Sequence, residues 1–261
     1  MLHKIRSLFE WFTIACYARF LRKDPITGLK IHTVPNLEKI GTEYGGWITP
    51  VDLIDEQSVC YCAGVGEDIT FDLGLISRFG CQVNAFDPMP RAKAHVQKYG
   101  DPVEAFNYFD NGLWDKDETV KLYAHSNPKS TSYSITNLHK TVDYIEAQCK
   151  RLSTIMKELG HTRIDVLKLD IEGAEYKVIE SIIEDRLDIG IIFVEYDELH
   201  SKNYEGYEER IRESVSRIQE YGYTLVALKP KCDYTFVKNV LMETRAYLTT
   251  TGSKTTSSPT T

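Results

Sequence analysis

The sequence predicts an α/β domain built on a doubly wound sheet of about seven strands, mostly parallel, with helices on both faces. Short apolar runs alternate with segments of helical periodicity, which is the pattern of a parallel sheet covered on both sides. The chain has 261 residues, 42% of them hydrophobic, enough to bury one large core. Too few residues separate the last two apolar runs for a crossover helix, so they should form an antiparallel terminal hairpin. The predicted architecture is Rossmann-like.

The elements follow from periodicity and from the residues that start and stop helices. The expected strands lie near 58–63, 82–86, 103–109, 165–170, 189–196, 223–228 and 234–241. The expected helices lie near 68–79, 90–98, 152–159, 174–185 and 205–221. Gly80 and Gly160 stand just past two helices and Pro90 near the start of a third, as helix ends and starts favour.

One segment, 111–150, departs from the α/β alternation. Its runs ETVKLYA and VDYIEAQCKRL predict extra strands on either side of a polar loop from Ser126 to Ser134. We expect this insertion to border the substrate pocket.

The chain is expected to divide into an N-terminal helical extension over 1–40, a Rossmann-like domain over 41–249 and a disordered tail over 250–261. The tail has too little apolar surface to offset the entropy of ordering. Residues 1–21 carry Lys4 and Arg6 ahead of an apolar stretch that Glu10 interrupts. This pattern favours an amphipathic helix on the domain or on a membrane surface, with a signal peptide or anchor as the alternative. No run is long enough for a transmembrane segment.

Charge and cysteine usage narrow the classes of partner and compartment. Thirty-one Lys and Arg against 38 Asp and Glu give a net charge of −7, which would repel a phosphate backbone. No nucleic-acid partner is therefore expected. The six cysteines form no CxxC pair and favour reduced core thiols, so we expect a cytoplasmic protein.

The first candidate site is the turn after the first core strand, in SVCYCAGVGEDITFD. Gly64 and Gly66 allow the sharp backbone turn and close ligand approach that a cofactor loop needs. Glu67 or Asp68 could accept hydrogen bonds from a ligand ammonium group, which favours an amino-acid-bearing cofactor over a pyrophosphate. Asp87 ends the next strand, where Rossmann-type folds present an acid to ribose hydroxyls, although it could simply cap a helix.

The second candidate site is IDVLKLDIEGAE, an apolar strand that ends in Asp170 and Glu172. Both carboxylates should lie at the carboxyl edge of the sheet, where open α/β folds keep their ligands. Capping of the following helix is the alternative role. Lys168 is expected to be buried along its stem and paired rather than catalytic.

Six motifs in this order resemble the FkbM-type methyltransferases, which belong to the class I S-adenosylmethionine-dependent enzymes. The resemblance covers roughly residues 41–200. Its carriers are IGTEYGGW at 40–47, VCYCAGVGEDITFD at 59–72, NAFDPMP at 84–90, GLWDKDE at 112–118, KLDIEGAE at 168–175 and FVEYDELH at 193–200.

The resemblance implies a role for each matching residue. Gly64, Gly66 and Asp68 would hold the methionine part of S-adenosylmethionine, and Asp87 the ribose hydroxyls. Tyr44 and Trp47 would cover the site, and Trp114 would lie near the adenine. A strand-one acid typical of the family is replaced here by Tyr61 and Cys62, and the family more often has Glu where this chain has Asp87.

Methyl transfer to an alcohol needs alignment and a base for the hydroxyl proton. Asp170 or Glu172 is the expected base, with Glu195, Asp197 and His200 as contacts of the substrate, a small molecule, sugar, glycan or lipid. A divalent metal is possible but not expected.

Three alternatives stay open. LDIEG could hold a metal for a glycosyltransferase. A cofactor-binding domain could also have lost catalysis. A dehydrogenase is disfavoured because Ile69 replaces the third fingerprint glycine.

Overall fold

The computed structural model describes residues 22–127, 130, 132–200, 206–229 and 233–244. In this part of the chain the strands are β1 Leu37–Ile40, β2 Trp47–Pro50, β3 Val59–Ala63, β4 Gln82–Phe86, β5 Phe106–Phe109, β6 Gly112–Leu113, β7 Glu118–Ala124, β8 Tyr133–Ser134, β9 Tyr144–Lys150, β10 Ile164–Leu169, β11 Ile189–Glu195, β12 Tyr223–Lys229 and β13 Asp233–Lys238. The α-helices are α1 Thr70–Phe79, α2 Pro90–Tyr99, α3 Leu152–Leu159, α4 Glu175–Glu184 and α5 Tyr207–Glu220, followed by a helical turn over 239–244. Single 3-10 turns cover Val51–Leu53 and Asp197–His200.

A seven-stranded sheet in the order β12-β13-β11-β10-β3-β4-β5 forms the centre of the fold. The five strands from β11 to β5 are parallel, and β13 pairs antiparallel with both β11 and β12. The predicted sheet of about seven strands and its terminal hairpin are confirmed. The hairpin is not simply appended, because its second strand, β13, lies inside the sheet.

Helices cover both faces of this sheet, which confirms the doubly wound prediction. On one face Tyr61 and Ala63 of β3 join a core with residues of α3, α4 and α5. On the other face Cys60 and Cys62 join a core with residues of α1 and α2. This alternation follows from the period of two along a strand buried on both sides.

Predicted and observed bounds agree closely because glycine and proline mark several ends. Gly80 and Gly160 end α1 and α3 in left-handed conformation, at φ 73° and 74°. Pro90 begins α2. The last expected strand, 234–241, is shorter than predicted, since the chain turns helical at 239.

The insertion folds as a second sheet of four strands in the order β6-β9-β7-β8. The run ETVKLYA forms β7 over its full length, and β7 pairs antiparallel with β9. The extra strands predicted within 111–150 are confirmed.

The helical extension predicted over 1–40 is wrong for residues 22–40. This part forms an isolated bridge between Lys23 and Lys30 and then β1, which pairs with β2. Pro25, Gly28 and Pro35 interrupt any helix there. The segment packs on the domain, since Asp24 accepts the Tyr234 hydroxyl at 3.0 Å. The predictions for 1–21 and 250–261 fall outside the described residues.

Two further observations concern helix length and the cysteines. Among the described residues no helix has the length and apolar character needed to cross a membrane. Cys60, Cys62, Cys81 and Cys149 are buried free thiols, as predicted.

Candidate functional site

A cavity of about 370 Å³ opens at the carboxyl ends of β3, β4 and β10. This is the edge at which open α/β sheets bind ligands. Residues after all three strands line it, together with the β1–β2 turn and the inner side of the small sheet: Tyr44, Gly45, Gly64, Val65, Gly66, Glu67, Asp68, Phe86, Asp87, Pro88, Met89, Gly112, Leu113, Leu122, Ser132, Tyr133, Ile135, Cys149, Lys168, Asp170, Ile171, Glu172 and Ala174. The cavity brings together most of the residues predicted from the sequence.

The glycine turn has the backbone conformation that the sequence predicted. Gly64 has φ +82°, and a Cβ placed there would lie 1.7 Å from the carbonyl oxygen of Asp170. Gly66 has φ +55°, with open space around the position of its missing Cβ. Gly64 is therefore required for close approach of two strand ends, whereas Gly66 leaves room beside the cavity.

Asp87 holds this turn in place. Its Oδ2 accepts the backbone N–H groups of Val65 and Gly66, each at 2.9 Å, and its Oδ1 accepts that of Met89 at 2.8 Å. The side chain is buried, and burial raises its pKa against the effect of these bonds. A carboxylate oxygen can accept two hydrogen bonds, so Oδ1 keeps one acceptor position for a ligand hydroxyl.

Asp68 is fixed by two threonines, Thr42 in the β1–β2 turn and Thr70 at the start of α1. It accepts the hydroxyl of Thr42 at 2.6 Å and both the hydroxyl and backbone N–H of Thr70, at 2.6 and 2.9 Å. Burial works to raise its pKa, but these bonds prevail and hold it below the usual value. Asp68 is therefore ionised at neutral pH and suited to a cationic group.

The β1–β2 turn forms the outer wall and carries Tyr44, which is 87% exposed. Lys229, in β12, donates to the carbonyl oxygen of Tyr44 at 3.1 Å and forms an ion pair with Asp233 at 2.9 Å. Tyr44 thus lies at the mouth of the cavity, on a turn that Lys229 of β12 holds in place.

Lys168 links the glycine turn to the second candidate site. It is 4% exposed, donates to the carbonyl oxygen of Gly64 and forms an ion pair with Asp170 at 3.0 Å. Burial opposes its charge, but Asp170 and Asp72 raise its pKa above the usual value. The expectation that Lys168 is buried and paired is confirmed.

Asp72 approaches the same lysine from α1. It is 1% exposed, and its Oδ1 accepts no hydrogen bond from the described residues. Burial raises its pKa to about 6, although Lys168 acts in the opposite direction. A polar residue in the buried stripe of α1 was the sequence signal for this acid.

A group of acids, here called the acidic edge, lies beside the cavity where β10 and β11 end. Asp170, Glu195 and Asp197 each bring a carboxylate oxygen within 4.8 Å of the others. Burial raises the pKa of Asp170 to about 6, Lys168 lowers it and Glu195 raises it further. Burial, followed by Glu172 and Glu175, raises the pKa of Asp197 well above its usual range.

The LDIEG turn presents Glu172 to the cavity in a left-handed conformation, φ +54°. Backbone N–H groups of Ile171 and Gly173 donate to Glu175, at 2.7 and 2.8 Å, so Glu175 holds this turn, while the N-cap residue of α4, Ala174, makes no side-chain cap. A Cβ on Gly173 would lie 2.7 Å from Thr136, where the small sheet packs on this turn. Asp170 and Glu172 therefore line the cavity without serving as the backbone cap.

Two tryptophans predicted to contact the cofactor do not line the cavity. Trp47 is 2% exposed and packs edge-on against Phe193, with ring centroids 5.5 Å apart. It lies in the core because β2 covers the sheet. Trp114 follows β6, and its neighbours Gly112 and Leu113 line the cavity instead. The side chain of His200 is outside the described part of the structure, and Glu195 reaches the acidic edge rather than the cavity wall.

The small sheet supplies wall residues that the motifs did not reveal, Ser132, Tyr133 and Ile135 among them. In the sequence, the loop that carries them was recognisable only by its polar composition. The predicted position of the insertion, beside the pocket, agrees with this lining.

The fold and the cavity together define an α/β protein with a cofactor-type site: a glycine turn after one strand, an acid after the next and an acidic edge beyond. The methyltransferase FkbM domain matches residues 59–225, so the chain belongs to that family and carries its methyltransferase domain.

Two curated relatives are similar over this region. Probable methyltransferase-like protein 24 from Rattus norvegicus is 30% identical over 183 residues, covering 69% of this chain and 42% of the rat protein. The Homo sapiens protein of the same name is 30% identical over 177 residues, covering 66% and 40%. The chain spans less than half the length of these relatives.

Among solved structures, Aeropyrum pernix fibrillarin in complex with S-adenosyl-L-methionine superposes with a TM-score of 0.41 and 8% identity, covering 71% of this chain and 66% of fibrillarin. So distant a likeness carries no information about the site of this chain.

Proposed function

We propose that this chain transfers the methyl group of S-adenosylmethionine to a hydroxyl oxygen of a small molecule, sugar, glycan or lipid. One observation carries the proposal: the glycine turn and Asp87 share a single cavity with Asp170 and Glu172 in a chain of the FkbM family. Residues suited to bind the cofactor and residues suited to acid–base chemistry thus line the same cavity.

The residues present suit this cofactor. Asp68 is ionised and could pair with the ammonium group, while Oδ1 of Asp87 retains one acceptor position for a ribose hydroxyl. Phe86, Met89 and Leu113 offer an apolar wall of the kind that an adenine ring requires.

When bound, S-adenosylmethionine supplies an electrophilic methyl group on a sulfonium. The acceptor hydroxyl oxygen would form the new bond to that carbon as the carbon–sulfur bond breaks, with its electron pair retained by sulfur. The hydroxyl proton passes to Asp170 or Glu172. A carboxylate with a pKa raised to about 6, as at Asp170, is still mostly ionised at neutral pH and is a better base than an ordinary aspartate.

The catalytic half of the proposal is tested with Asp170→Asn and Glu172→Gln. Each replacement keeps shape and removes charge, so we expect folded proteins that bind cofactor but transfer methyl at a rate lower by about 100-fold or more. Activity is measured against a panel of hydroxylated sugars, lipids and small molecules. Full activity in both variants would remove the acid–base role.

The cofactor half is tested separately by thermal shift with S-adenosylhomocysteine, NAD, and a UDP-sugar with Mn²⁺. A ligand at about 100 times its dissociation constant stabilises a fold by about 2.7 kcal/mol. We expect a shift with S-adenosylhomocysteine and none with NAD. A shift with the UDP-sugar and Mn²⁺ alone would favour the glycosyltransferase alternative, and cofactor binding without turnover would favour an inactive cofactor-binding domain.

The setting of this reaction also remains part of the proposal. The net charge of −7 supports an acceptor that is not a nucleic acid, and the buried free thiols support a cytoplasmic location. Contact with a membrane surface through residues 1–21 remains a prediction from their amphipathic pattern.

A further inference from the structure

The acidic edge brings three carboxylates together beside the cavity. Asp170 leaves β10, Glu195 ends β11, and Asp197 follows in a 3-10 turn. Lys168 pairs with Asp170, and Lys229 pairs with Asp233, the residue opposite Glu195 in the sheet. Like charges held this close in a partly buried site repel one another unless a cation or proton joins them.

A second observation is independent of the clustering. The Oδ2 atom of Asp197 is completely buried and accepts no hydrogen bond from any described residue. A buried carboxylate oxygen without a donor is destabilising, because it has lost its hydrogen bonds to water and gained none in return. Its local environment is acidic, since Asp170 and Glu195 reach within 4.8 Å of the same carboxylate. The missing partner is therefore a hydrogen-bond donor or a cation, and the acids around Asp197 favour a cation.

We propose that Asp170, Glu195 and Asp197 bind one hard divalent cation, of the Mg²⁺, Mn²⁺ or Ca²⁺ class, at the wall of the cavity. Three carboxylate oxygens are the donor set that these ions prefer. Oxygen ligands lie about 2.3 to 2.6 Å from Ca²⁺ and about 2.0 to 2.1 Å from Mg²⁺, so three of them spaced evenly around one ion are at most about 4.5 Å apart for Ca²⁺ and about 3.6 Å for Mg²⁺. The three carboxylate oxygens lie within 4.8 Å of one another, close enough for a small rearrangement of their side chains to bring them onto one ion.

The position of the site gives the ion a function that rests on the proposed methyl transfer. Asp170 belongs both to the acidic edge and to the cavity wall, so an ion bound there can take an acceptor hydroxyl as a further ligand. A metal-bound hydroxyl loses its proton more readily. The acceptor would then be a compound with a hydroxyl, and preferably a second oxygen, placed to chelate the ion.

The binding test uses the full chain, stripped with EDTA and then titrated with Mn²⁺, Mg²⁺ and Ca²⁺ by calorimetry, with electron paramagnetic resonance counting bound Mn²⁺. We expect one saturable site. Asp197→Asn and Glu195→Gln should each weaken it by on the order of tenfold or more. The matched control is Asp188→Asn at the opposite end of β11, where Asp188 is exposed and paired with Lys238. It should leave metal affinity unchanged.

The same variants separate a metal site from a merely structural group of acids. In EDTA, Asp197→Asn should melt at a higher temperature than the unsubstituted protein, because it removes one of the repelling charges, and added metal should stabilise it less. Absence of saturable binding at millimolar metal, or equal affinity in both variants and the unsubstituted protein, overturns the proposal. Stabilisation by S-adenosylhomocysteine in EDTA tests the cofactor site independently, so failure of one proposal is distinguishable from failure of the other.

Discussion

The acidic residues on the two sides of the cavity differ in their hydrogen-bond partners. On the glycine-turn side, backbone N–H groups and hydroxyls satisfy both acids: Asp87 accepts three N–H groups, and Asp68 accepts from Thr42 and Thr70. On the acidic edge, carboxylates face one another, and Oδ2 of Asp197 has no donor among the described residues. The acids of the first side are held by protein donors before a ligand binds, whereas on the second side Oδ2 of Asp197 accepts no hydrogen bond from the described residues.

In the proposed methyl transfer, this difference would assign cofactor binding to the first side and proton transfer to the second. A cofactor site benefits when its residues are rigid and already hydrogen-bonded to the protein, because no reorganisation is then needed when the cofactor binds. Groups that accept a proton benefit from a raised pKa, which partial burial and neighbouring acids provide. The contrast predicts distinct responses to substitution on the two sides.

The largest effect is expected where the two sides meet, at Gly64→Ala. The new Cβ would lie 1.7 Å from the Asp170 carbonyl oxygen, so the strand ends must separate. We expect a loss of about 3 kcal/mol or more in the free energy of unfolding, together with loss of cofactor binding, measured by denaturant titration and calorimetry.

The matched control is Gly160→Ala, at a similar φ of +74° but with no atom near the added Cβ. It should cost only about 1 to 2 kcal/mol, the intrinsic penalty of the left-handed conformation. Equal losses in the two variants would show that the close approach of β3 and β10 contributes nothing.

A smaller effect is expected at Asp87→Asn, because an amide nitrogen cannot accept the hydrogen bonds that one carboxylate oxygen now receives. Cofactor affinity should fall by about 1 to 3 kcal/mol, and the melting temperature should fall as well, since Asp87 is buried and holds the turn. Calorimetry and thermal unfolding measure the two losses. Weakened binding with unchanged stability would mean that Asp87 serves the ligand and not the turn.

The smallest effect concerns Asp72 and the pH dependence of stability. Its folded pKa of about 6 lies above the ordinary value of 3.8, so its protonation stabilises the fold as pH decreases through 6. From pH 8 to pH 5 the unsubstituted protein should gain about 1 kcal/mol relative to Asp72→Asn, measured by urea titration at each pH. A constant difference across this range would show that Asp72 stays ionised beside Lys168.

The sequence by itself determined the order of strands and helices, because apolar periodicity, Gly80, Gly160 and Pro90 are local signals. It also determined which residues end β3, β4 and β10, since the carboxyl ends of parallel strands share one edge. The positions of Gly64, Asp87, Asp170 and Glu172 at one cavity follow from that rule.

Only the tertiary structure decided how those residues are used. Asp87 was expected to present its carboxylate to a ribose or to cap a helix, but it is buried and also holds the glycine turn, because the turn curls back over β4. Trp47 was placed over the cofactor, yet β2 carries it into the core against Phe193. The grouping of Glu195 and Asp197 with Asp170, and the support that Lys229 gives to Tyr44, join residues far apart in the chain. Such contacts depend on how the strands pack side by side, and no local sequence pattern encodes the distances between these residues.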